Sequence, residues 1–368
     1  MSAEREALLK LALIPGLGPL LAARLQAAFG SYHAIFTQRM DALQAVEGIG
    51  PERARRLCDP RLDERLRAEL AEAAAAGVRI IVRGDPEWPK DLACLPDPPL
   101  ALWVQGELLP QDRLAVAVVG PRRATAYGHR TAQRLAGGLA RLGATIVSGL
   151  ARGIDTAAHE AALAAGGRTI AVLGSGIAYC YPTENRPLAA RIAAGHGAVI
   201  SELPLSMPPN PGTFPRRNRL VAALSLATLV VEAGATSGAL ITARLAAELG
   251  KHVFAVPGPI DRPEHVGANR LIRDGAVLVT GVEDIVQELA PLATLARLSP
   301  PPAVEEGAQH SLSSRERSLW QLLGDEPLAI DDLVQRTGWP ASAVSATLLS
   351  LELKRLARRV PGGYRRAD

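Results

Sequence analysis

From residue 115 onward the sequence repeats one unit, a short apolar run without internal alternation followed by a helical pattern. The runs are "LAVAVVG", "ATIVSG", "RTIAVLGSG", "GAVISE", "LATLVVEA", "KHVFAVPG" and "AVLVT". Between them stand patterns such as "YGHRTAQRLAGGLARLG", "DTAAHEAALAAG", "ENRPLAARIAAG" and "SGALITARLAAELG". A strand that is apolar on both faces must be covered on both, and a helix between consecutive strands makes the crossover that leaves them parallel. The fold class this predicts is α/β, a doubly wound, Rossmann-like parallel sheet. Because 48% of the residues are hydrophobic but only 4% aromatic, its core must be built from Ala, Val, Leu and Ile.

The flanks differ. Residues 1–76 read as short helices around two similar turns, Ile14-Pro15-Gly16-Leu17-Gly18-Pro19 and Val46-Glu47-Gly48-Ile49-Gly50-Pro51. This is the look of a helical helix-hairpin-helix or SAM-like domain. The turn amides could grip a phosphate, or the glycines could serve only a compact connection; the residues leave both readings open. The α/β domain is expected over 77–290, opening on a Pro-rich passage, with a Pro- and Ala-rich linker at 291–310. Residues 311–368 predict three helices and a hairpin at Gly362-Gly363, with a Ser313/Glu316 capping box and a basic wing of Arg358, Arg359, Arg365 and Arg366, a winged-helix pattern. Its reading as a protein-interaction module stands beside nonspecific duplex contact.

Several classes are disfavoured. Cys58, Cys94 and Cys180 are odd in number and lack CxxC spacing, against a disulfide framework or zinc site. The first residues include acids and too short an apolar run for a signal peptide, and no stretch reaches the ~20 apolar residues of a membrane span. A cytoplasmic protein with no membrane partner is expected.

In an open parallel sheet, ligands bind beyond the carboxyl ends of the strands. Those positions here carry Gly120-Pro121-Arg122-Arg123, then Ser148-Gly149-Leu150-Ala151-Arg152-Gly153, Gly174-Ser175-Gly176, Ser201-Glu202 and Glu232-Ala233-Gly234. No run matches the dinucleotide G-x-G-x-x-G or the ATP-binding G-x-x-x-x-G-K-[ST], so no cofactor and no metal are expected. His129 and His159 read as structural, and Asp155 as the cap of the helix after "GLARGI". No nucleophile-base arrangement is signalled, which argues against an enzyme. A polyphosphate ligand fits better. In "GTFPRRNRLVAAL" (212–224), Thr213 reads as an N-cap and Pro215 as first turn, yet Arg216, Arg217 and Arg219 crowd the positive end of a helix dipole. A strand's phosphates would answer that repulsion. Single-stranded nucleic acid is held by a basic groove with ring faces for its bases. Arg122, Arg123, Arg152, Arg216, Arg217 and Arg219 would form the groove, with the Ser148 hydroxyl and Gly149 amide as anion donors. Phe214 would stack a base or, alternatively, plug the helix against the sheet. Helical spacing puts Arg216 and Arg219 on one face and Arg217 about 100° from Arg216.

The blocks "VGPRRATAYG", "SGLARGIDTAAH", "GSGIAYCYPTEN", "SELPLSMPPNPGTFPRRNRLVAALS", "VVEAGATSGALITARLAAELGKHVFAVPG" and "GANRLIRDGA", in this order, resemble the DNA-processing protein A (DprA/Smf) family. The resemblance implies a non-catalytic protein that protects incoming single-stranded DNA and loads the recombinase RecA in natural transformation and recombination, as a homodimer. It carries DNA contacts onto Arg122, Phe214, Arg217, Asn218 and Arg219. Pro121 departs from the family's usual serine, removing a hydroxyl and an amide from that turn. The rival reading is a nucleotide phosphoribohydrolase, whose Pro-Gly-Gly-x-Gly-Thr turn "EAGATSGALIT" does not reproduce.

Overall fold

A chain rich in apolar runs must hide them in pairs of layers, and the arrangement is seen in a computed structural model that describes residues 2–298, 312–324, 326–354, 356–360 and 362–366. The chain divides into two compact units, 1–299 and 300–368.

The first unit opens with six helices: α1 (Ala3–Ala12), α2 (Pro19–Phe29), α3 (Tyr32–Ile35), α4 (Met40–Gln44), α5 (Pro51–Leu57) and α6 (Leu62–Ala75). Pro19 and Pro51 each begin a helix directly after a glycine, where a missing N–H leaves no bond unmade. Gly16 and Gly48 have φ of +77° and +88°, a left-handed conformation that a β-carbon disfavours. The two turns are cross-tied. Arg56 Nη1 donates to Pro15 O, Arg24 Nη1 to Glu47 O, and Arg53 bonds both Gly16 O and Gly48 O, at 2.6–3.2 Å.

Nine strands follow: β1 (Val78–Val82), β2 (Ala101–Gly106), β3 (Ala115–Val119), β4 (Thr145–Ser148), β5 (Thr169–Val172), β6 (Gly197–Ser201), β7 (Ala227–Val230), β8 (His252–Ala255) and β9 (Val277–Leu278). They form one sheet in the order β1-β2-β6-β5-β4-β3-β7-β8-β9. Strands β3 to β9 are parallel, and the expected runs all appear in them. Two strands were not expected: β1 lies just before the Pro-rich passage and β2 within it, and they extend the sheet antiparallel beyond β6. Their signal is weak because β1 is a short run with no repeat beside it and the prolines around β2 read as loop.

The helices are α7 (Ala126–Arg141), α8 (Ile154–Ala164), α9 (Arg186–Ala193), α10 (Thr213–Ala223), α11 (Ala239–Glu248), α12 (Val266–Arg273), α13 (Val282–Glu288) and α14 (Ala290–Leu298). One face of the sheet packs α10, α11 and α12 through Val119, Val147, Val172, Leu220 and Ala243. The other takes α7, α8 and α13 through Val116, Val118, Ile146 and Leu229. Toward β1 and β2 that second face is covered by α9 and the N-terminal helices, which share one core. Trp103 Nε1 on β2 donates to Glu69 Oε1 on α6 at 2.7 Å. The boundary expected at residues 76 and 77 therefore separates segments of one packed unit. Residues 291–298, expected as linker, are helical as part of α14 because Leu292 is buried with α13; the rest of that stretch, to 310, lies outside the described residues.

The second unit holds α15 (Ser314–Leu322), α16 (Ile330–Thr337), α17 (Ala341–Leu353) and an antiparallel ribbon of β10 (Ala357–Val360) with β11 (Gly363–Arg366). The Ser313/Glu316 capping box forms, with Ser313 N–H on Glu316 Oε2 at 2.7 Å and Glu316 N–H on Ser313 Oγ at 3.3 Å. Leu319, Leu333, Val344 and Leu348 make its core. In the wing, Arg366 lies over Trp320, 3.9 Å from the ring centre, so it serves packing, while Arg358 and Arg359 are exposed.

Candidate nucleic-acid interface

The chain runs β3, β4, β5, β6 outward on one side of β3 and then crosses to β7 on the other. At such a reversal, successive loops diverge and leave a crevice at the strand ends. A cleft of about 760 Å³ lies there, lined by the loop after β3, the loop after β4, α10 and the segment entering α11.

Its floor is built by Arg217. The guanidinium is 6% exposed, lines the cleft, and donates from Nη1 to Gly149 O at 2.6 Å and to Val172 O. Any β-carbon at position 149 would stand 2.4 Å from it, so glycine is required there to admit this side chain. The loop it grips is cross-tied. Asp155 Oδ2 accepts from the amides of Gly149 and Ala151 at 3.1 and 3.2 Å, and Asn185 Nδ2 donates to Leu150 O at 2.8 Å. Leu150 has φ of +56°, a conformation that costs a non-glycine residue about 1–3 kcal/mol and persists only when its surroundings enforce it. Asp155 thus braces the loop; the expected cap of α8 is instead Gly153, whose φ of +75° and approach to Pro121 O exclude a side chain.

Burial dominates the titration of this pair. Desolvation raises the Asp155 carboxyl above its ordinary 3.8 despite the nearby Arg217 charge, and lowers Arg217 to about 10. A carboxyl whose pKa is raised on folding contributes stability below its unfolded pKa and loses it as pH rises through the folded value. The stability of the native chain relative to Asp155→Asn should therefore decline as pH rises from about 4; urea unfolding of both proteins between pH 4 and 8 measures it, and a pH-independent difference would refute it. His159, fully buried with Nδ1 2.7 Å from Thr169 Oγ1, is held down to about 3, first by burial and then by Arg217, and so is a neutral core residue, as expected.

The other arginines separate. Arg122 and Arg123 are exposed at the rim, and among the described residues neither belongs to an ion pair. Arg122 lies over the Phe214 ring, 5.4 Å from its centre; Tyr181, a residue the sequence reading did not single out, sits 5.5 Å away across the same ring. Phe214 is half-buried, with Gly174 leaving just the room its inner edge needs. It both plugs against the sheet and faces the cleft. Arg152 is exposed and paired with Glu184. Arg216 and Arg219 share a face, as spacing predicts, but that face does not line the cleft. It meets Glu202, whose carboxylate is 5% exposed, with Arg216 Nε at 3.3 Å and Arg219 Nη2 on the other oxygen; Asp97 adds a contact to Arg219 at 3.5 Å.

Glu202 therefore answers the charge at the start of α10 from within the protein. Lys251 does the same at the opposite end, its Nζ donating to Ala222 O, Ala223 O and Ser225 O. Thr213 is the first helical residue and not the cap; its hydroxyl donates to Gly174 O and Asn210 O. Ser148, offered as an anion donor, is fully buried with its hydroxyl on Val118 O at 2.7 Å, and the Gly149 amide is taken by Asp155. The glycines after the strands serve close packing more than ligand approach. Glu232 is likewise occupied, accepting from Thr125 Oγ1 at 2.6 Å at the start of α7.

Residues 79–290 match the family described as DNA recombination-mediator protein A, residues 300–363 the DprA winged helix domain, and residues 6–59 a SAM-like helix-hairpin-helix tandem. Protein Smf of Escherichia coli is 42% identical over 277 residues, covering 75% of this chain and 74% of its own. Protein Smf of Synechocystis sp. is 34% identical over 95% of both. Among solved structures, DNA processing protein A of Streptococcus pneumoniae matches with a TM-score of 0.67 at 33% identity, over 78% of this chain and 98% of that one. That of Helicobacter pylori, described for its single-stranded DNA binding mode, matches with a TM-score of 0.53 at 33% identity, over 61% and 97%.

Proposed function

Because the chain belongs to the DNA recombination-mediator protein A family, we propose that it holds single-stranded DNA across the cleft at the β3/β7 switch, protects the incoming strand and loads RecA onto it in natural transformation. The observation that carries this is the rim itself: two exposed arginines in no ion pair among the described residues, Arg122 and Arg123, beside the half-exposed ring of Phe214 and above the anchored Arg217. Cations without partners attract a phosphate backbone, and a ring face takes bases without regard to sequence. The non-enzymatic reading is supported by the occupied state of Glu232, Asp155 and His159, each committed to bonds or burial within the protein.

The test of binding is a gel-shift comparison of single strands and duplexes, without ATP; preference for the duplex would overturn it. Loading is tested by whether the protein shortens the lag of RecA filament growth on single strands coated with a single-strand-binding protein. A homodimer is part of the proposal, and sedimentation of the full chain tests it. Phe214→Ala should weaken binding by about 1–3 kcal/mol, the value of one stacked base, while Phe214→Tyr retains most of it; equal losses in both would point to packing against Gly174 instead.

A further inference from the structure

We infer that the α/β sheet carries a second binding site, separate from the cleft, that takes the C-terminal residue of a partner protein: its apolar side chain in a pocket and its α-carboxylate on Arg186. The pocket is a cavity of about 210 Å³ between the end of α6 and α9, over β2 and β6, and it shares no lining residue with the cleft. Leu173, Val199 and Leu205 form its apolar wall, each at most 4% exposed. Cys180 joins them as a neutral thiol, since burial pushes its pKa up despite the Arg186 charge nearby. A dry cavity of about 150 Å³ with such walls accepts a benzene-sized group, so there is room here for one aromatic or branched aliphatic side chain. The surface beside it is apolar as well. Tyr179 and Met207 are 49% and 38% exposed, and the segments that carry them are tied by Gly176 N–H on Met207 O at 2.8 Å and Ala178 N–H on Leu205 O at 3.1 Å. Exposed apolar surface next to a pocket marks contact with another molecule.

The charge at the mouth selects the partner. Gln105 and Arg186 are the polar residues of the lining, and Arg186 is exposed at the first position of α9, in no ion pair among the described residues. The carboxylates of the flanking elements do not answer it. Glu184 pairs with Arg152, and Glu69 Oε1 accepts from Trp103 Nε1 and the Leu205 amide at 2.7 and 2.6 Å. Glu72, one turn before Ala76 on α6, is not part of the lining. An arginine fork left open over an apolar pocket fits a carboxylate attached close to an apolar side chain. In an extended segment neighbouring side chains point to opposite faces, so the carboxylate of an adjoining Asp or Glu would be carried away from the mouth. The α-carboxylate of a chain's last residue stays beside that residue's own side chain. A C-terminal apolar residue is therefore the occupant.

The test uses the full chain and the fluorescein-labelled peptide Gly-Ser-Gly-Ser-Phe, as the free acid, as the C-terminal amide, and as the free acid with Ala in place of Phe. Wild type should bind the free acid about fivefold more tightly than the amide, the effect of one charge-assisted contact at the surface. It should bind it about tenfold more tightly than the Ala peptide, the effect of burying the ring. Arg186→Ala should abolish the preference for acid over amide and keep the preference for Phe over Ala; Arg186→Lys should keep part of both. The melting temperature and the single-strand affinity of Arg186→Ala should be nearly those of wild type, because the side chain is exposed and lies outside the cleft. Equal binding of acid and amide, equal binding of the Phe and Ala peptides, or an acid preference that survives Arg186→Ala overturns the site. So does failure of the free acid to bind at about millimolar concentration. None of these results bears on strand binding in the cleft, so the two readings fail separately.

Discussion

Arg217→Ala is expected to cost the fold about 3 kcal/mol, because the buried carbonyls of Gly149 and Val172 lose a charged donor and are left unsatisfied. Arg217 is 6% exposed, so water does not replace it without opening the loop that Asp155 braces. Urea unfolding of the full chain should show the midpoint falling with little change in slope. A change below about 1 kcal/mol would mean that the two carbonyls find other donors once the guanidinium is gone. The consequence for binding experiments is direct, because a defect in Arg217→Ala reports on the fold before it reports on phosphate contact. Arg219, buried against Glu202 and Asp97, is subject to the same confusion.

The clean test lies at the rim. Arg122→Ala with Arg123→Ala should leave stability nearly untouched, since both side chains are exposed and neither is in an ion pair among the described residues. Charge-assisted hydrogen bonds contribute about 1.5 kcal/mol each at the low end, so single-strand affinity should fall roughly 100-fold. Each lost phosphate contact on a single strand also removes about 0.7 from the log–log salt slope, so the double variant should be flatter by about 1.4. Anisotropy titrations from low to high salt measure both. Weaker binding with the original slope would assign these arginines to shaping the turn at Gly120-Pro121 rather than to the backbone of the strand.

The sheet was legible because buried parallel strands have no solvent face to interrupt them, and β3 is buried at every position. Strands β1 and β2 were not, since β1 is a lone five-residue run interrupted by an exposed arginine and β2 stands among prolines that read as loop. At the site, helical spacing correctly grouped Arg216 with Arg219 and set Arg217 apart. It could not tell which face met the cleft. That is decided by Glu202, which arrives from β6 and draws two of the three arginines to itself.

The left-handed turn at Leu150 bears on where disorder is lost when a strand binds. Its carbonyl is fixed by Asn185, and its neighbours by Asp155 and Arg217. All these bonds lie within the protein, so the floor of the cleft has no freedom left to surrender. The ordering cost falls on the rim side chains, about 0.5–1.5 kcal/mol for each long one immobilised, and above all on the strand itself. A supple, unstacked strand loses most on entering such a cleft, and a strand already stacked in the bound geometry loses least. On the proposed reading, the rigidity of one loop would make the stiffness of the DNA a determinant of affinity.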